Sequence, residues 1–179
     1  MRHTRRGADS SAPAVTGVAN YARVMFTGLS AFPITPLSGA GVDSDRLSRI
    51  VEMLVAAGVD SIGALGSTGS YPYLSAEERA VAARAAVSAA GGVPVIIGVG
   101  ALTLSEVLRN VDAAQSVGAS GLLVSAMTYQ SLTDEEVVSF FEDVAAGSSV
   151  PICVYDNPGT THATFTHAIH EHIASLPQV

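Results

Sequence analysis

The stretch Ser61-Ile62-Gly63-Ala64-Leu65-Gly66-Ser67-Thr68-Gly69-Ser70, with Leu74-Ser75-Ala76-Glu77-Glu78-Arg79 close behind it, decides how the chain is read. A short apolar run predicts a strand buried on both faces. A loop of Gly, Ser and Thr follows. Ser75, with Glu78 three residues later, is a capping box that opens a helix, because hydroxyl and carboxylate can satisfy two orphan amides reciprocally. Strand, loop and capped helix make one βα unit.

Outward from this unit the pattern recurs. The strand candidates are Phe26 to Ala31, Ser61 to Leu65, Val93 to Val99, Gly121 to Ser125 and Val150 to Tyr155. Leu47, Ile50, Val51, Leu54 and Val55 share one helical stripe, and Gly58 sits where a left-handed C-cap is wanted. Thr103 with Glu106 and Thr133 with Glu136 repeat the capping box, and Gly118 and Gly147 mark the ends of those helices. Phe165, Ile169, Ile173 and Leu176 give the last helix its buried stripe. Successive strands begin roughly 30 residues apart, the repeat of a TIM (β/α)8 barrel, whose eight units need about 250 residues. The expected fold class is therefore α/β, a TIM barrel truncated after about five βα units, with Val179 as the first residue of a sixth strand. A complete five-stranded doubly wound sheet of flavodoxin type is the rival architecture. Residues 1–24 lack an apolar period and are expected to form a disordered tail, leaving 25–179 as the barrel units; because patterning begins there, Met25 is a candidate start of translation.

Composition narrows the function. With 48% hydrophobic and 14% charged residues in 179, the chain can bury a core. Sixteen acidic against nine basic residues, a formal charge of -7, argue against nucleic acid or an anionic membrane as partner. Cys153 is the single cysteine, and no apolar run approaches the roughly 20 residues a membrane span needs. A cytoplasmic protein is expected. All nine basic residues are arginine, so this polypeptide cannot form a Schiff base through an ε-amino group.

Two stretches invite chemistry. In Gly66-Ser67-Thr68-Gly69-Ser70, backbone amides can converge on a small anion and adjacent hydroxyls can bind a carboxylate and pass a proton, although the composition also suits an ordinary loop. In Val154-Tyr155-Asp156-Asn157-Pro158-Gly159 a tyrosine stands at a strand end, where a barrel keeps its active site. A phenol beside a threonine hydroxyl can relay protons; a tyrosine that only packs the barrel mouth before a turn is the plainer alternative.

Together with Phe26-Thr27-Gly28, Thr35-Pro36 and Val99-Gly100, these stretches resemble the dihydrodipicolinate synthase and N-acetylneuraminate lyase family of pyruvate-dependent aldolases, from about Met25 to Val179. The resemblance implies a (β/α)8 barrel, usually a homotetramer of tight dimers, and class I aldolase chemistry on pyruvate or a related 2-oxo acid plus an aldehyde. It implies a lyase in which a lysine of strand six forms the Schiff base, and no cofactor. Ser67 and Thr68, with Gly69, match the carboxylate-binding loop, Thr68 also relaying a proton; Tyr155 matches the acid and base. Tyr129 falls near the tyrosine pair that relays protons across the dimer interface. Thr160 falls at a substrate-binding position where the synthase branch has an arginine that fixes a second carboxylate. A threonine offers one weaker hydrogen bond there, so an amino-dicarboxylate aldehyde would be held poorly. With its lysine missing, the chain is expected to be inactive, and a non-catalytic remnant or binding-only subunit is the alternative.

His162, His167, His170 and His172 cluster near the end of the chain, but only His167 and His170 share a helical face, and no metal is expected. Cys153, between Ile152 and Val154, reads as a core residue, and Asp134, Glu135 and Glu136 suit the start of a helix.

Overall fold

The computed structural model describes residues 26–179; the expected tail and the candidate start at Met25 lie outside the described residues. The first strand, β1 (Ser30–Ala31), leads into a small antiparallel hairpin, β2 (Leu37–Ser38) and β3 (Gly41–Val42), which the sequence pattern does not announce. Helix α1 (Ser44–Ala56) is followed by β4 (Ser61–Ala64), α2 (Ala76–Ala89), β5 (Val95–Gly98), α3 (Leu104–Ser116), β6 (Gly121–Val124) and α4 (Asp134–Gly147). Strand β7 (Ile152–Val154), a single turn α5 (Pro158–Thr161) and α6 (His167–Ala174) complete it.

The five larger-sheet strands are parallel and lie in the order β1-β4-β5-β6-β7, which is their order along the chain. That order removes the flavodoxin alternative. A doubly wound sheet must reverse direction at a switch point, whereas this sheet advances one neighbour at a time, as in the wall of a barrel. The strand edges carry the same message. The Ile152 N–H donates to the Gln178 carbonyl at 2.7 Å, as Ile62 does to Pro94 and Leu122 to Pro151, both at 2.9 Å. Pro94 and Pro151 each stand immediately before the next strand, so Val179 occupies the equivalent place beside β7.

Every residue of β4 and β5 is buried, which is why these strands read as unbroken apolar runs. Ile62, Leu122, Val99, Val107, Val111 and Phe141 are fully enclosed between sheet and helices. Each such side chain stabilises the fold by on the order of 2 kcal/mol. Successive helices pack on one another, α1 on α2, α2 on α3, α3 on α4 and α4 on α6.

Local signals hold with three corrections. Complete capping boxes open α2 and α4, but at α3 the Glu106 carboxylate accepts from the Thr103 hydroxyl at 2.8 Å and does not reach back to the N-cap amide. Gly58 and Gly118 take positive φ just past α1 and α3, whereas Gly147 is the last helical residue of α4 and Ser148 caps it. The expected strand Phe26 to Ala31 shrinks to two residues, because Asp60 accepts from the Leu29 N–H at 2.6 Å and ties that segment by a side chain.

Candidate active site

The site lies where β4 and β7 end. Leu65, just beyond β4, adopts φ 57°, a left-handed conformation that costs a non-glycine residue about 1–3 kcal/mol and turns the chain sharply out of the sheet. Strand β5 must pass beneath this bend: a Cβ on Gly98 would sit 1.9 Å from the Leu65 carbonyl oxygen, so only glycine fits. The bend delivers a 3-10 turn over Ser67–Gly69. At β7 the ladder continues one residue past the strand, the Tyr155 N–H donating to the Val124 carbonyl at 2.8 Å.

Across these ends the Ser67 Oγ lies 2.9 Å from the Tyr155 hydroxyl, although 88 positions separate them in sequence. The Asn157 Nδ2 donates to the same phenolic oxygen at 2.8 Å. Hydrogen bonds from Ser67 first and Asn157 second hold the Tyr155 phenol below the usual tyrosine range; partial burial pulls the other way and Thr160 adds a smaller downward push.

The neighbouring hydroxyl faces elsewhere. Thr68 Oγ1 donates to the Phe32 carbonyl at 3.0 Å, so Ser67, and not Thr68, stands against the phenol. In a 3-10 turn adjacent side chains diverge by about a third of a turn, and the two hydroxyls cannot both meet one partner. Gly69 is buried and its N–H is committed to the Gly66 carbonyl at 2.9 Å, as that of Ser70 is to Ser67 at 3.1 Å. Among the described residues, the exposed Ser67 and Thr68 make no hydrogen bond through their own N–H groups. Those two amides can receive an anion. Thr160, exposed on α5, donates through N and Oγ1 to the Asn157 carbonyl at 2.9 and 3.3 Å. Tyr129, on the loop after β6, is 90% exposed, and its hydroxyl meets no hydrogen-bond partner among the described residues.

A second tyrosine–serine pair lies behind the first. The Tyr71 hydroxyl is 3.0 Å from Ser125 Oγ, both side chains being buried, and a small cavity separates this pair from Ser67 and Tyr155. Arg79, the arginine of the capped α2, is buried over the Tyr71 ring and donates to the carbonyls of Gly98 and Gly100, each at 3.0 Å, and to that of Tyr71 at 3.4 Å. Burial lowers its pKa from the usual arginine value. No sequence signal assigns Tyr71 and Ser125 to each other, and the Asn157 amide was hidden behind its reading as part of an Asn-Pro turn.

Two of the histidines pair with carboxylates. His170 Nε2 lies 3.1 Å from Asp156 and His172 Nε2 2.8 Å from Glu142, linking α6 to the β7 end and to α4, while His162 closes α5 in a left-handed conformation. Burial raises the Cys153 thiol pKa, as suits a packing residue. Among the described residues no helix is long and apolar enough to cross a membrane.

Comparisons with known proteins place this geometry in context. Residues 25–179 match the Dihydrodipicolinate synthetase family. The 4-hydroxy-tetrahydrodipicolinate synthase of Ruegeria pomeroyi is 33% identical over 156 residues, which are 87% of this chain and 54% of that protein. A crystal structure of dihydrodipicolinate synthase from Agrobacterium tumefaciens superposes with a TM-score of 0.85 at 40% identity, over 89% of this chain and 54% of that one. A prophage protein of the dihydrodipicolinic acid synthase family from E. coli K12, solved in complex with pyruvate, gives a TM-score of 0.80 at 31% identity, over 84% and 51% of the two chains. The chain thus spans about half the length of the relatives it matches.

Proposed function

The chain belongs to the dihydrodipicolinate synthetase family, and on that premise we propose that it carries the carboxylate-holding and proton-handling part of a class I, pyruvate-dependent aldolase site. The observation that carries this reading is the 2.9 Å contact between Ser67 and Tyr155 at the carboxyl ends of two barrel strands. A phenol with a lowered pKa, half-exposed and bonded to a hydroxyl, can give and take a proton near neutrality more readily than an ordinary tyrosine.

In this reading a 2-oxo acid rests its carboxylate on the open amides of Ser67 and Thr68. A lysine amine from outside these 179 residues condenses with the keto carbon and water leaves; the Tyr155–Ser67 pair takes up a C3 proton, giving an enamine whose C3 adds to an aldehyde. Tyr155 then returns that proton to the new alkoxide, with Ser67 as exchange partner, and water hydrolyses the remaining imine to free the lysine. Thr160 supplies a neutral hydroxyl where the synthase branch has arginine, so we assign an aldehyde without a second carboxylate as the other substrate. The exposure of Tyr129 supports a contribution across a subunit interface of the homotetramer the family suggests.

The experiment is reductive trapping. A protein continued past Val179 through a lysine-bearing strand, treated with pyruvate and borohydride, gains the mass of one reduced pyruvyl adduct, and the 179-residue chain gains none. An unmodified longer protein would overturn the proposal. That result would favour the second reading, a binding-only subunit of this family.

A further inference from the structure

The phenolic oxygen of Tyr155 has one hydrogen to give and two lone pairs to receive with, and two side chains stand within 2.9 Å of it, Thr160 acting on it more weakly. One, Ser67 Oγ at 2.9 Å, can donate or accept. The other, Asn157 Nδ2 at 2.8 Å, can only donate. The amide therefore occupies one lone pair permanently, and the phenol's own hydrogen is left for Ser67 or for a bound reactant.

Asn157 is well placed to impose this. Its carbonyl accepts from the N–H groups of Thr160 and Thr161, each at 2.9 Å, and from Thr161 Oγ1 at 2.9 Å. Thr161 is 2% exposed, and its carbonyl accepts from the Thr128 N–H at 3.0 Å, tying α5 to the loop after β6. Pro158 fixes the next residue. The side chain thus projects from a backbone pinned on both sides, so little freedom is lost when its amide meets the phenol.

We propose that Asn157 is a positioning residue that acts through Tyr155: its side-chain amide fixes the phenolic oxygen as an acceptor, stabilises it when the proton leaves, and directs that proton toward Ser67 and the reactant. The role of the proton in turnover rests on the aldolase reading above; the hydrogen bond and its effect on the phenol do not. Lowering of the Tyr155 pKa by Asn157 agrees with it. The ionisable groups nearest along the chain, Asp156 and its partner His170, face each other at 3.1 Å.

The test is a pH titration of the 179-residue chain labelled at tyrosine Cζ with carbon-13, followed by NMR, with Tyr155→Phe to assign the resonance. Tyr155 titrates below the usual tyrosine range in the parent chain. Asn157→Ala moves its midpoint up by about one half to one pH unit, and Asn157→Asp moves it further, because a carboxylate opposes the phenolate. A native Tyr71 resonance certifies the fold. Should Asn157→Ala lose it, Asn157→Leu, similar in size and without a donor, carries the measurement. A midpoint unchanged in a natively folded Ala or Leu variant overturns the proposal. A shifted midpoint combined with no pyruvate adduct in the longer protein would sink the aldolase reading while supporting this one.

Discussion

Two tyrosine–serine pairs at the same end of the sheet differ in what surrounds them. Tyr71 and Ser125 meet at 3.0 Å in a buried setting, roofed by Arg79, whose guanidinium is spent on backbone carbonyls. Ser67 and Tyr155 meet at 2.9 Å at the open mouth, with an amide on the phenol and unengaged backbone N–H groups beside it. The bond is the same; the environment assigns the job. A buried hydroxyl pair loses heavily when one member is removed, because its partner is stranded, whereas an exposed pair is rescued by water.

Substitutions can break or sharpen this contrast, and urea denaturation ranks them. Gly98→Ala places a methyl against the Leu65 carbonyl, backbone against backbone, and is expected to cost about 3 kcal/mol or more. Arg79→Ala strands the carbonyls of Gly98 and Gly100 and should cost about 2–3 kcal/mol. Tyr71→Phe leaves Ser125 buried without its partner, for about 1–2 kcal/mol. Tyr155→Phe, at the open pair, stays within about 0.5 kcal/mol of the parent. Equal losses for Tyr71→Phe and Tyr155→Phe would dissolve the distinction.

Cys153, on β7 just before the open pair, adds a smaller effect. Because burial raises its pKa, the thiol stays protonated at pH 8, and labelling by a thiol reagent is expected to be slow until urea opens the strand. The sign for stability follows: the protonated, buried thiol favours the folded state below the ordinary cysteine pKa, and this contribution fades as pH climbs from that value toward the raised one. Labelling as fast in buffer as in urea would contradict its burial.

The sequence was most legible where one physical constraint dominated. β4 and β5 read as continuous apolar runs because helices cover them, and α2 and α4 announced themselves through capping boxes that the structure completes. The hairpin Leu37–Val42 went unread because strands of two residues are too short to show alternation, and β1 was overestimated because the Asp60 side chain, 31 positions away, replaces ladder bonds there. At the site, Ser67, Thr68 and Tyr155 were all placed at one end. Which hydroxyl faces the phenol was not legible, since the pitch of the turn decides it. Asn157 and the Tyr71–Ser125 pair depend on contacts between separate strand ends and leave no local trace.

The most direct measurement compares the two tyrosines in a barrel-length protein through deuterium exchange at C3 of pyruvate, a step that needs the enamine but no aldehyde partner. Tyr155→Phe should slow exchange about a hundredfold or more with its melting temperature nearly unchanged, while Tyr71→Phe lowers the melting temperature and leaves the exchange rate of the folded protein close to that of the parent. Undiminished exchange in Tyr155→Phe would contradict the account.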